Sequence, residues 1–252
     1  MAPSVASSRS QHLSPAHPAY DRVFYSGMAI ALALTVFVGF APTYYLRSYF
    51  GAPITANGST SLTLLAHVHA VVFTGWVLLV LVQTALIARH RVALHQRMGI
   101  AGATLAIVMM VVGSATAIKA AARGAAPLGV NPLVFMAIPL ADMVVFAGFI
   151  GTAMWWRRNK ETHKRLMLLA YISLVAAAVA RLPGMLPLGP LAFFGFAFLF
   201  VVAGMLYDVI SRGRIHRAYI LGGALFVASV PLRLMISGTA TWHRFAEFLV
   251  GR

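Results

Sequence analysis

Residues 23–46 read VFYSGMAIALALTVFVGFAPTYYL, a run without one charged side chain. About 20 apolar residues cross the hydrocarbon of a bilayer as a helix. The run therefore predicts a transmembrane helix, and similar runs recur to near the end of the chain. Seven spans are expected, at about 23–44, 62–88, 99–121, 132–156, 165–186, 190–210 and 217–238. The fifth is the shortest clean stretch, Leu166 to Ala180, before Arg181 interrupts it. A six-helix reading would break differently at Pro183, Pro187 and Pro190. Transmembrane strands are excluded by run length, because they need only about ten residues of alternating polarity.

Composition agrees. Of 252 residues, 60% are hydrophobic and 10% charged, with a mean hydropathy of +0.84. Soluble domains carry about 25% charged residues. The fold class is thus an all-α polytopic membrane bundle. Residues 1–22 form a polar tail rich in Ser, Pro and His, expected to be flexible, and unlike a signal peptide because the apolar run begins only at Val23. Residues 23–238 form the seven-helix domain, and 239–252 a C-terminal tail.

The net charge is +15. In a soluble chain this would point to nucleic acid, but basic residues gather in the cytoplasmic loops of membrane proteins, so a nucleic-acid partner is not expected. Thirteen of the 20 Lys and Arg fall in the tail and the loops after spans two, four and six, Arg157, Arg158 and Lys160 among them. That bias predicts a cytoplasmic N-terminus and an outer C-terminus. Trp155, Trp156, Tyr44, Tyr45 and Trp242 fall where aromatic belts belong. Asn57-Gly58-Ser59 matches a glycosylation sequon, a pattern short enough to arise by chance. Cysteine is absent, which excludes disulfides, thiolate metal sites and cysteine catalysis.

Three loops repeat a local pattern. Each brings a His at a helix start with a basic residue close behind: His95 and Arg97, His163 and Lys164, His216 and Arg217. A small residue follows seven places after each His, at Gly102, Ala170 and Gly223. One leading helix followed by three similar hairpins is expected. Interface anchoring explains the basic residues without a ligand.

Ionisable groups inside spans are costly and mark candidate sites. His67, His69, Asp142, Arg181 and Arg233 all fall in the outer half. Asp142 is too short to snorkel and is expected to pair with Arg181 or Arg233. The excess cation would suit an anionic group such as a heme propionate, a carboxylate or a lipid phosphate. Packing alone, or snorkelling arginines, is the competing explanation. His67 and His69 lie about 200° apart on a helix and cannot chelate one metal together. His69, Trp76 and Gln83 recur every seven residues, so His69 is expected to face the bundle and is the candidate heme ligand. Asp208 lies at the inner end of span six beside Arg212. Pro132, Pro139 and Pro231 either kink helices or free carbonyls along a cavity. No P-loop, zincin or nucleophile-elbow motif is found, and an enzyme acting alone is not expected.

His67-Val68-His69, Trp76, Gln83, Leu94-His95-Gln96-Arg97-Met98-Gly99 and Thr162-His163-Lys164-Arg165-Leu166-Met167 resemble uncharacterised bacterial multi-helix membrane proteins. The His-Lys-Arg-Leu-Met turn is similar to small membrane proteins of cytochrome oxidase assembly, and the layout of helices and histidines is loosely similar to cytochrome b561-type proteins. These resemblances imply an accessory role in the inner membrane of a bacterium and heme b as cofactor. The expected function is a membrane-embedded binding or accessory protein whose His67, His69, Asp142, Arg181 and Arg233 hold a cofactor. A proton-coupled transporter using Asp142, or a structural subunit docked to partner subunits, are the alternatives.

Overall fold

The computed structural model describes residues 18–51, 61–127 and 129–252, and the described residues contain helices and no strand. The sequon at 57–59 lies outside them. Seven helices are long and apolar enough to cross a membrane. They are α1 (Pro18–Phe40), α2 (Leu64–Ala88), α3 (Val92–Ala122), α4 (Pro132–Trp155), α5 (Lys160–Val179), α6 (Gly189–Arg212) and α7 (Arg217–Ser237). An eighth, α8 (Ala240–Val250), follows.

The boundaries have local causes. Asn131, Asn159, His216 and Thr239 each accept a backbone N–H at the starts of α4, α5, α7 and α8, satisfying a donor that the first turn leaves free. Asn159 lets α5 begin at Lys160, earlier than the apolar run, and Pro183 follows soon after its end at Val179. α1 starts at Pro18, so the last residues of the stretch expected to be a flexible tail are helical. It ends in a π-helical turn at Ala41–Tyr45 over Pro42. The segment 239–252 is not bare tail. α8 packs on α3, α4 and α7, with Ala246 fully buried and the Trp242 indole N–H donating to the Leu133 carbonyl at 2.8 Å.

α5 is the centre of the bundle. It touches α1, α4, α6 and α7, while α2 and α3 pack outside α1 and α4. Small residues permit these approaches. At Gly39, α1 lies against the backbone of Ala178 on α5. Gly222 of α7 faces Leu169 and Phe149, and Gly204 of α6 makes room for the Tyr219 ring. The expected inward stripe of α2 is present: Trp76 is buried against Phe146 at 5.2 Å between ring centroids, and Gln83 Nε2 donates to the His95 carbonyl at 3.3 Å. The face carrying the starts of α1, α3, α5 and α7 is called the N-terminal face below, and the other the opposite face.

Candidate functional site

The five candidate residues separate into two groups. Asp142 pairs with Arg233, not with Arg181. Arg233 Nη1 donates to Asp142 Oδ1, Nη2 to Ser229 Oγ at 2.8 Å, and Nε to the Ser229 carbonyl at 3.0 Å. The Phe194 ring of α6 lies 4.5 Å from the guanidinium. Both charged side chains are buried. Each nitrogen of Arg233 has a partner inside the protein, so this pair joins α4 to α7 and offers no free charge to a ligand.

The second group lies where α1, α2 and α5 meet near the opposite face. Arg181 follows the end of α5 and is exposed at the bundle surface. Its guanidinium lies 4.5 Å from the Phe40 ring, and Nη1 donates only to the Ala177 carbonyl of its own helix. All five Asp and Glu of the chain are among the described residues, and none pairs with Arg181. Arg181 is within electrostatic range of His69. The His69 ring stacks on Phe73 at 4.1 Å, and its Nδ1 is buried without a hydrogen-bond partner among the described residues. His67, two residues earlier, turns outward to the Tyr44 hydroxyl at 3.4 Å.

Sequence reasoning missed the neighbours of this corner. The hydroxyls of Thr43 in the turn after α1 and of Tyr171 on α5 are also buried, without a partner among the described residues. Tyr45 folds back so that its hydroxyl meets Thr74 of α2 at 2.8 Å, within electrostatic range of Tyr171. Buried polar atoms are ordinarily paired, and here the unpartnered His69 Nδ1 lies within electrostatic range of a cation that no carboxylate neutralises. Unpaired hydroxyls on apolar helices have no signature in a single sequence.

A third cluster, at the N-terminal face, was seen only in part. Arg165 is fully buried and paired to Asp208 through Nη2, with Nε donating to Oδ2 at 2.9 Å. The backbone N–H of His216 donates to the same carboxylate at 3.0 Å. Asp21 of α1 accepts from Lys164 at 2.6 Å, from Tyr207 at 2.6 Å and from Arg212 at 2.7 Å. Glu161 accepts from Lys164 and Arg165. Three carboxylates thus meet three cations, tying α1, α5 and α6 together. The sequence placed Arg165 and Lys164 among loop cations. The readable signal was Asp208, whose position in a span demands a partner.

Of the three repeated histidines, two come together. The His95 and His163 rings are 6.5 Å apart, and His163 Nδ1–H donates to the Ala153 carbonyl at 2.9 Å. His216 instead caps α7, its Nδ1 accepting the Ala218 N–H at 3.1 Å. Burial, then the nearby Arg165 charge, holds its pKa below the usual imidazole value. Among the described residues no three His, Asp or Glu approach closely enough to hold a metal ion. No family model, curated protein or solved structure matches this chain.

Proposed function

We propose that this chain is a membrane-embedded binding protein that holds an anionic group at the corner formed by His69 and Arg181, in the manner of a cofactor carrier or an accessory protein of a membrane complex. The observation that supports this is one of charge. Arg233 and Arg165 both have buried carboxylate partners, and Arg181 has none. A cation at membrane depth is costly unless paired, and the unpartnered His69 Nδ1 within its electrostatic range can serve an anion's oxygen. Heme b is one such group: His69 would offer its imidazole to the iron and Arg181 its guanidinium to a propionate. His67 is turned away, and His243 sits on α8, against α3, α4 and α7, so a second histidine ligand is not at hand. A single-histidine heme, or an anion without iron, therefore fits the residues better than a bis-histidine heme. The engagement of Asp142 by Arg233 favours a packing role for that pair over the proton-carrying role of a transporter.

The test is to purify the full chain from native membranes in mild detergent, extract it for small-molecule mass spectrometry, and record its oxidised and dithionite-reduced absorption. The expected result is a co-purifying anionic compound near one per chain, depleted in Arg181→Gln and His69→Ala. A reducible Soret band would identify it as heme. Equal content in wild type and both variants overturns the proposal.

A further inference from the structure

The two repeated histidines that come together, His95 and His163, stand apart from the corner of His69 and Arg181, at a junction of four helix ends. His95 is in the first turn of α3 and His163 in the first turn of α5, with Gln83 near the end of α2 and Ala153 near the end of α4. The bonds made here fix which atoms are left over. His163 Nδ1–H donates to the Ala153 carbonyl at 2.9 Å. A neutral imidazole carries one proton, so His163 Nε2 keeps a lone pair. Gln83 Nε2 donates to the His95 carbonyl, so Oε1 of the same amide is an acceptor, and it is buried without a partner among the described residues. His95 Nδ1 is buried without a partner in the same way.

These three atoms share one chemistry. Each offers a lone pair, His95 in the tautomer that protonates Nε2. An anion would set its own lone pairs against them, and an apolar group would leave all three unsatisfied. A metal ion accepts all three. The bond from His163 to a backbone carbonyl is the support that ligating histidines ordinarily have, fixing ring and tautomer and making the other nitrogen a better donor. The two rings are 6.5 Å apart between centroids. An ion about 2.0–2.1 Å from one nitrogen of each ring sets the centroids about 5–6.5 Å apart, depending on the angle at the metal. The observed spacing is at the open end of that range. Both rings are half-buried, so a small swing closes the site, and an ion can enter from the N-terminal face. Neutral imidazoles favour zinc and copper over calcium and magnesium, which take oxygen ligands.

We infer that His95 and His163, with Gln83 Oε1, form a site for one zinc or copper ion at the N-terminal face. The remaining coordination positions are left to solvent. The site shares no residue with the anionic corner, and either can exist without the other.

The test uses the full untagged chain in mild detergent, stripped with a chelator and titrated with zinc chloride against a fluorescent zinc indicator. One ion per chain is expected. His95→Ala and His163→Ala should each weaken binding by about 100-fold or more, because even the outer partners of a ligating histidine are worth about 10–100-fold. Gln83→Glu keeps an oxygen and adds charge, so it should tighten binding, whereas a purely structural Gln83 would not. His90→Ala, an exposed histidine of the nearby loop, should change nothing. Zinc should raise the melting temperature of the wild type and not of the double variant His95→Ala/His163→Ala, a comparison that stands even if the variants start less stable. With copper(II), electron paramagnetic resonance should show coupling to two imidazole nitrogens, and to one in each single variant. Equal affinity in the wild type and the double variant overturns the inference, as does a loss on His90→Ala as large as on His163→Ala. Coupling to a single nitrogen in the wild type overturns it too, because the two rings then do not share the ion. Arg181→Gln and His69→Ala should leave the zinc titration unchanged, so this result is separate from that of the anionic corner.

Discussion

Arg233 of α7 and Asp142 of α4 form a buried ion pair between residues 91 positions apart in the chain, and Ser229 takes the guanidinium nitrogens that Asp142 does not. Breaking a buried pair leaves one charge without a partner, which costs about 3–5 kcal/mol, whereas replacing both members with apolar residues of similar volume is close to neutral. Asp142→Asn and Arg233→Met should each lower the melting temperature in detergent sharply. The double variant Asp142→Leu/Arg233→Met should recover most of the loss. A double variant as unstable as the singles would assign the pair a role beyond packing.

The cluster at the N-terminal face should show graded costs. Asp208 is fully buried and serves Arg165, Arg212 and the His216 N–H, while Asp21 is partly exposed. Asp208→Ala should destabilise by about 3–5 kcal/mol. Asp21→Ala should cost about 1 kcal/mol, the scale of partly solvated pairs. Urea or thermal unfolding of the two variants gives the order. A larger loss for Asp21 would mean that α1 is held chiefly from this end.

His216 supplies a pH dependence with a definite sign. Its imidazole caps α7 as a hydrogen-bond acceptor and is held below its ordinary pKa of 6.5, so the folded protein keeps it neutral where the unfolded chain already binds a proton. Below about pH 6.5 the unfolded state takes up more protons, and stability falls as pH falls. Melting temperatures of the wild type should decline from pH 7 to pH 5 more steeply than those of His216→Asn, which can cap without titrating. Parallel curves would remove His216 as the cause.

The contact between α1 and α5 depends on Gly39. A Cβ there collides with the Ala178 backbone, which cannot rotate away, whereas a Cβ on Gly148 meets nothing. Gly39→Ala should cost about 1–3 kcal/mol as overpacking. Gly148→Ala should be neutral or slightly stabilising. Because α1 borders the proposed binding corner at Arg181, where Phe40 lies against the guanidinium, Gly39→Ala should also lower the content of any co-purifying anion, and a variant that melts early yet retains it would separate the two.

The spans were legible because each must satisfy one length and one polarity rule, and only their ends moved. α5 began at its Asn159 cap rather than at the first apolar residue, and α3 extended back through His95 and Arg97, polar residues that a helix end at the membrane surface tolerates. α8 was readable in part: Trp242, Phe245 and Leu249 repeat at helical spacing, but a helix of 11 residues has no span-length signal. The choice of Arg233 over Arg181 for Asp142 was not legible, because both arginines reach a similar height and only the packing of α4 on α7 decides between them. The corner of His69 and Arg181 was half legible. His69 and Arg181 stood out as ionisable groups in apolar surroundings, whereas Thr43 and Tyr171 became visible only once their hydroxyls were seen to lack partners.

The most direct measurement is an experimental structure of the full chain reconstituted in its native lipids. The account predicts non-protein density between α1, α2 and α5, with oxygen atoms at about 3 Å from the Arg181 guanidinium and from His69 Nδ1, the length of a hydrogen bond. Density confined to water at this corner, with Arg181 turned into the lipid headgroups, would contradict it.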